Sequence, residues 1–104
     1  MDSTTPYFKV KSISDGDGLL IEAAGELDAA SSEQLSAALE AADPDQPIAL
    51  DLGGVSFIDS SGLRVIAAAL RSAEGDGRPL RVTAASEAVR RIFEITGLQA
   101  ALER

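Results

Sequence analysis

Three times along this chain a short apolar run ends in a polar turn, and apolar residues then resume at helical spacing. Strands repeat with a period of about two residues and helices with about 3.6, so each change marks a strand passing into a helix. Leu19-Leu20-Ile21-Glu22-Ala23-Ala24 is the first run. Gly25-Glu26-Leu27-Asp28 closes it, and Leu35, Ala38, Leu39 and Ala42 follow at i, i+3, i+4, i+7. Ile48-Ala49-Leu50-Asp51-Leu52 is the second run, apolar almost throughout as expected of a covered central strand. Gly53-Gly54 is expected to break it before Val55-Ser56-Phe57-Ile58 returns apolar groups to the core. Asp59-Ser60-Ser61-Gly62 then opens a helix with the stripe Leu63, Ile66, Ala67 and Leu70. Leu80-Arg81-Val82-Thr83-Ala84 is the third run. Ser86 caps the helix after it, and Val89, Ile92 and Phe93 form that helix's stripe.

The remaining segments fit around this alternation. Tyr7 to Ile13 reads as a strand with Phe8 and Val10 on one face. Asp15-Gly16-Asp17-Gly18 is a turn signal, because Gly tolerates positive φ and Asp bonds its own backbone. The first two strands therefore form an antiparallel hairpin. Ser31 with Gln34 fits a capping box for the first helix, and Asp43-Pro44-Asp45-Gln46-Pro47 stops it. Gly75-Asp76-Gly77 ends the second helix. Gly97 supplies a left-handed C-cap for the third, and Leu98 to Leu102 can add a last turn. The order is β-β-α-β-α-β-α, an α/β chain. At 104 residues it holds one two-layered domain, over 7–104. Residues 1–6 are expected to be a flexible polar terminus.

Composition removes most chemistry. With no Cys and no His, the chain brings no thiolate, no imidazole base and no Cys or His metal ligand. Gly53-Gly54 lacks the spacing of a phosphate-binding loop. Asp15/Asp17 and Asp43/Asp45 lack the ligand pattern of a calcium loop and read as solvated turns. No catalytic residue, cofactor or metal is expected. The remaining enzymatic reading, a carboxylate-dependent hydrolase using Asp28 and Asp59, has no imidazole and no second convergent acid in the motif. Nine basic against seventeen acidic residues give a net charge of −8. Phosphate backbones and anionic membrane surfaces repel such a chain, so neither nucleic acid nor membrane is an expected partner. The same charge favours a monomer when free. The N-terminus lacks a signal-peptide pattern and no apolar run is long enough to span a bilayer, so a cytoplasmic location is expected.

The most unusual segment is Ile58-Asp59-Ser60-Ser61-Gly62-Leu63. Asp and Ser are ordinary N-caps, each contributing roughly 1 kcal/mol when a side chain satisfies a free N–H. One cap suffices, yet this turn carries Asp and two Ser beside a Gly. Hydroxyls at a helix N-terminus mark a place where a phosphate sits readily. The serines do not lie in G-x-S-x-G. The acidic pair and lysine that a phospho-accepting aspartate needs are missing around Asp59 as well. Gly62, without a side chain, is expected to allow close approach of a partner, and Gly62→Val to spare the fold. Asp28 reads either as a helix cap or as a contact at the same end of the sheet.

Asp51-Leu52-Gly53-Gly54-Val55-Ser56-Phe57-Ile58-Asp59-Ser60-Ser61-Gly62-Leu63 resembles the signature of STAS domains, most closely the bacterial anti-sigma factor antagonists. Gly25-Glu26-Leu27-Asp28 is similar to a turn of that family. Ser86-Glu87-Ala88-Val89-Arg90-Arg91-Ile92-Phe93 resembles its third helix, and Thr96-Gly97-Leu98 the segment after it. The resemblance implies a mixed four-stranded sheet with helices packed mainly on one face. It implies that a cognate anti-sigma factor, itself a serine kinase, phosphorylates Ser60. The unphosphorylated chain would bind that kinase and free the sigma factor, and a metal-dependent serine phosphatase would restore binding. The first turn of the helix that begins at Ser60 is expected to face the partner, with Asp28 near the same surface, so Asp28, Asp59, Ser60, Ser61, Gly62, Leu63 and Arg64 are the expected partner-binding residues. The alternative within the family is an adaptor subunit of an ABC-type lipid-transport complex or another scaffold.

Overall fold

The structure, a computed structural model, describes residues 8–98. Strand β1 (Phe8–Asp15) turns through Gly16, at φ 67°, into β2 (Gly18–Leu27). Helix α1 (Ala29–Glu40), β3 (Ile48–Ile58), α2 (Ser60–Asp76), β4 (Leu80–Ala85) and α3 (Glu87–Thr96) follow. This is the β-β-α-β-α-β-α order expected from the sequence. The expected terminus at 1–6 and positions 99–102 of the expected last turn lie outside the described residues.

The sheet order is β1-β2-β3-β4. The hairpin β1–β2 is antiparallel, while β2–β3 and β3–β4 are parallel, so the sheet is mixed. Two successive crossovers stepping the same way across a sheet place their helices on the same face, because each is right-handed. Accordingly α1 and α2 pack side by side. The buried side chains of the sheet share one pleat face: Ile21 and Ala23 of β2, Ile48, Leu50 and Leu52 of β3, Val82 of β4. Leu35 and Leu39 of α1, Ile66 of α2, and Val89 and Phe93 of α3 close over them.

The sequence reading breaks the third strand at Gly53-Gly54; the structure shows one continuous strand, Ile48–Ile58. Pairing with β2 slips twice. Glu22 and Ala24 face Asp51 and Gly54, and Gly25 and Glu26 face Val55 and Phe57, so β3 holds one extra residue at each slip. A bulge adds a residue without ending the ladder and bends the strand. The glycine pair therefore serves as bulge and close-approach residues. A β-carbon on Gly54 would come 2.9 Å from Cβ of Ala24. The bulges also change which side chains face inward. Burial steps by two from Ile48 to Leu50 to Leu52, then by three to Val55 and Ile58. Strict alternation would have sent Gly54 and Ser56 inward. The bulges instead return Val55 and Ile58 to the core, each roughly 1.5–3 kcal/mol of burial.

A second correction concerns the first helix. Asp28, not Ser31, is its N-cap, and Ser31 occupies N3. The capping box is thus Asp28 with Ser31, with Gln34 taking no part. The ends of the other helices agree with expectation. Gly77 and Gly97 are left-handed C-caps at φ 72° and 81°, and the Ser86 hydroxyl accepts from Val89 N–H at 3.3 Å.

Candidate functional site

Because β2, β3 and β4 run parallel, the helices following them begin at one edge of the sheet. In open α/β sheets this edge, outside the carboxyl ends of the strands, is where sites form. Leu27 and Ile58 are register partners, so the residues after them, Asp28 and Asp59, start neighbouring helices side by side. The two starts are joined by a backbone bond, Asp59 N–H donating to the Leu27 carbonyl at 3.2 Å.

Asp59 is the N-cap of α2. Its Oδ1 accepts from the N–H groups of Ser61 at 2.9 Å and Gly62 at 3.2 Å. One carboxylate oxygen thus satisfies two of the helix's unbonded donors. Ser60 is the first helical residue and is exposed, while Ser61 is half-buried. The motif therefore sorts its polar residues. The Asp holds the turn rigid, the first Ser faces solvent, and the second leans into the protein. Leu63 is half-buried against the core, and Arg64, one turn beyond Ser60, is exposed.

Gly62 departs from its expected role. It is buried, and a β-carbon there would lie 2.6 Å from Leu27 Cγ. Its missing side chain serves packing against β2, so Gly62→Val cannot spare the fold.

Asp28 is half-buried and does the same capping work at α1. Its Oδ1 accepts from Ser31 N–H at 3.1 Å and Ser31 Oγ at 3.0 Å, while Ser31 Oγ accepts from Asp28 N–H at 2.8 Å. The hydroxyl also reaches the Glu26 carbonyl at 2.7 Å. The Ser31 backbone N–H, and after it the Ser31 hydroxyl, hold the Asp28 carboxyl below its ordinary value of 3.8. Favourable bonds to the charged form lower a pKa.

The edge thus carries two aspartate caps, an exposed serine hydroxyl, and the positive ends of neighbouring helix dipoles. Phe57 completes it. Three residues before Ser60, its ring is 48% exposed. The sequence reading counted Phe57 among the groups returned to the core. The signal that separates it is the three-residue spacing from Val55 to Ile58, which marks a bulge and leaves Phe57 outward. Among the described residues no group of three acidic, His or Cys side chains is placed to hold a metal ion, and no helix is long and apolar enough to cross a membrane.

Residues 13–103 match the family model described as Mlab, STAS domain. The chain is 37% identical over 91 residues to the anti-sigma-B factor antagonist of Listeria monocytogenes serovar 1/2a, covering 86% of this chain and 80% of that protein. Its fold is similar to that of the anti-sigma factor antagonist SpoIIAA in its unphosphorylated form. There the TM-score is 0.71 and the identity 25%, covering 92% of this chain and 85% of that one. The phosphorylated form of the Bacillus cell fate determinant SpoIIAA gives a TM-score of 0.70 at 24% identity, covering 92% and 88%. A family model spanning nearly the whole chain, with a curated relative at this identity, establishes that the chain belongs to the STAS domain family.

Proposed function

We propose that this chain is an anti-sigma factor antagonist switched by phosphorylation of Ser60. Unphosphorylated, it binds a cognate anti-sigma factor serine kinase through the sheet edge where α1 and α2 begin, and the sigma factor is released. The partner surface comprises Ser60, Ser61, Leu63 and Arg64, with Phe57 beside them. Asp28, Asp59 and Gly62 hold its shape. A metal-dependent serine phosphatase reverses the modification. The chain acts in the cytoplasm as a substrate and binding partner; it is not a catalyst.

The observation that carries this reading is the position of Ser60. It is the exposed hydroxyl of a turn fixed by the Asp59 cap. A kinase needs such a hydroxyl presented in one geometry. The names of the similar proteins, antagonists and a phosphorylated SpoIIAA, support the same assignment.

The test is to mix the purified chain with the anti-sigma kinase it recovers from its host. A stable complex is expected without ATP. With ATP the complex dissociates, and mass spectrometry places phosphate on Ser60. Phosphate found only on Ser61 or Ser56 would overturn the site. Recovery of an ATPase–permease assembly instead of a kinase would favour the adaptor role.

A further inference from the structure

The backbone donors at the start of α2 are already taken. Asp59 Oδ1 accepts from the N–H groups of Ser61 and Gly62, and the Asp59 carbonyl accepts from Leu63 N–H at 3.0 Å. A phosphate at a helix N-terminus is ordinarily held by such N–H groups. Phosphate on Ser60 would therefore meet the helix dipole but find these donors occupied. It would also meet acidic side chains. Asp59 precedes it in the chain, and Asp28 caps the adjoining start of α1. A dianion so placed calls for a cation.

A cation stands within reach. Ser60 and Arg64 both lie on α2, one turn apart. Side chains at i and i+4 share a helix face, with β-carbons roughly 5–6 Å apart. A long helical side chain leans back over the turn before it, so Arg64 overlies the turn that Ser60 begins. The order is the favourable one, with the acidic group N-terminal to the basic one. Both residues are exposed, and among the described residues Arg64 enters no ion pair. In the unmodified chain Arg64 lines the α1–α2 groove together with Ser36 and Glu40. Glu40 competes for it there with a single charge, against about −1.5 to −2 on a phosphoserine. The arginines of α3 are engaged elsewhere. Arg90 Nε donates to the Ala85 carbonyl at 3.3 Å, and Arg91 pairs with Glu87 at 3.6 Å.

We propose that Arg64 is the internal counter-ion of phosphorylated Ser60. Its guanidinium forks across two phosphate oxygens, a geometry that lysine cannot supply. This rests on the reading of Ser60 as the modified residue and adds how the modification acts. Phosphorylation places negative charge on the partner surface and withdraws from it the cation that Arg64 otherwise offers. The surface therefore changes by more than the charge of the phosphate.

The test uses the full chain with phosphoserine installed at position 60 during synthesis, so no kinase takes part. In the ¹⁵N-labelled protein the Arg64 Nε–H signal is identified by its loss in Arg64→Gln. It is expected to move, and to exchange more slowly with solvent, when Ser60 carries phosphate. Phosphate is also expected to lower the melting temperature of Arg64→Gln by about 4 °C or more beyond its effect on the parent. Arg64→Lys, which keeps the charge and loses the fork, is expected to fall between them. Salt at about 1 M, where the screening length is ~3 Å, is expected to shrink the difference. An Arg64 Nε–H signal unmoved by phosphate would overturn the proposal. So would equal effects of phosphate on the melting temperatures of the parent and Arg64→Gln. If phosphorylated Arg64→Gln does not fold, the signal in the parent decides alone. A kinase that modifies another residue would sink the Ser60 reading without touching these measurements, so the two can fail separately.

Discussion

The α-carbon of Gly62 lies against the side chain of Leu27. A β-carbon on Gly62 would stand 2.6 Å from Leu27 Cγ, 2.9 Å from Cδ2 and 3.0 Å from the carbonyl oxygen. That same carbonyl accepts from Asp59 N–H. The end of β2 therefore clamps the first turn of α2 by a backbone bond on one side and by van der Waals contact on the other. Leu27 is fully buried, so it cannot swing away without opening the core.

Gly62→Ala is expected to destabilise the fold. Overpacking costs typically about 1–3 kcal/mol, and each kcal/mol lowers the melting temperature of a domain this size by roughly 4–8 °C. Gly62→Val is expected to cost more. Leu27→Ala alone should cost about 2–5 kcal/mol for its cavity. Combined with Gly62→Ala it should cost less than the two summed, because the smaller side chain makes room for the new methyl. A double-mutant cycle by thermal melting measures this, and strict additivity would show that the two residues do not press on each other.

Asp28 links capping to pH. Its folded-state pKa lies below the ordinary 3.8, held there by the Ser31 N–H and hydroxyl. For a depressed carboxylate the contribution to stability is fully present above the unfolded-state value and is lost as pH falls through the folded value. Asp28→Asn keeps a capping oxygen but removes the titration. The melting temperatures of parent and variant should therefore differ at neutral pH and converge as the pH is lowered below 3.8. A constant difference across that range would refute the role of the ionised cap.

The order of elements and the turn at Asp59 were legible because each rests on local chemistry. A polar cap, a left-handed Gly and a change of hydrophobic period act within a few residues. Gly77 and Gly97 illustrate this, standing as C-caps where the sequence puts glycine after an apolar stripe. The parts that were not legible depend on partners distant in sequence. Gly53-Gly54 looks like a break, but its outcome is decided by β2 pairing across it, with Ala24 too close for a side chain at Gly54. Gly62 looks like an open surface because nothing local reveals that Leu27, far back in the chain, lies beneath it. Ser31 and Asp28 both have the chemistry of a cap, and the geometry decides between them, giving the N-cap to Asp28 and N3 to Ser31.

Phe57 is expected to be an anchor of the partner surface. Its ring is 48% exposed beside the motif, and aromatic residues dominate binding energy when a partner desolvates them. Phe57→Ala should weaken kinase binding by about 2 kcal/mol, or roughly 30-fold, with little change in melting temperature. Ile95 is more exposed, at 76%, but lies in the last turn of α3, away from where the helices begin. Ile95→Ser should leave affinity unchanged. Calorimetric titration of both variants decides, and equal affinities would mean that the partner does not reach Phe57.

Ser60 gives the sharpest prediction. Phosphorylation adds about −1.5 to −2 charges. At the first position of α2 the helix dipole favours that charge by roughly 0.3–1 kcal/mol. The adjacent Asp59 carboxylate, bound in its cap, opposes it by like-charge repulsion. The opposed effects leave the fold standing, and the consequence falls on the interface. A carboxylate of the partner ~5 Å away would be repelled by ~3 kcal/mol at an effective dielectric near ~20, less after screening by salt. A loss of about 1–3 kcal/mol is roughly 5- to 150-fold in affinity. Ser60→Asp should therefore bind the kinase poorly while keeping the circular-dichroism spectrum and melting temperature of the parent. Ser60→Ala should bind the kinase as the parent does and stay bound when ATP is added. Release of Ser60→Ala by ATP would show that the switch operates through another residue. Loss of the native spectrum in Ser60→Asp would show that the added charge acts on the fold and not on the contact.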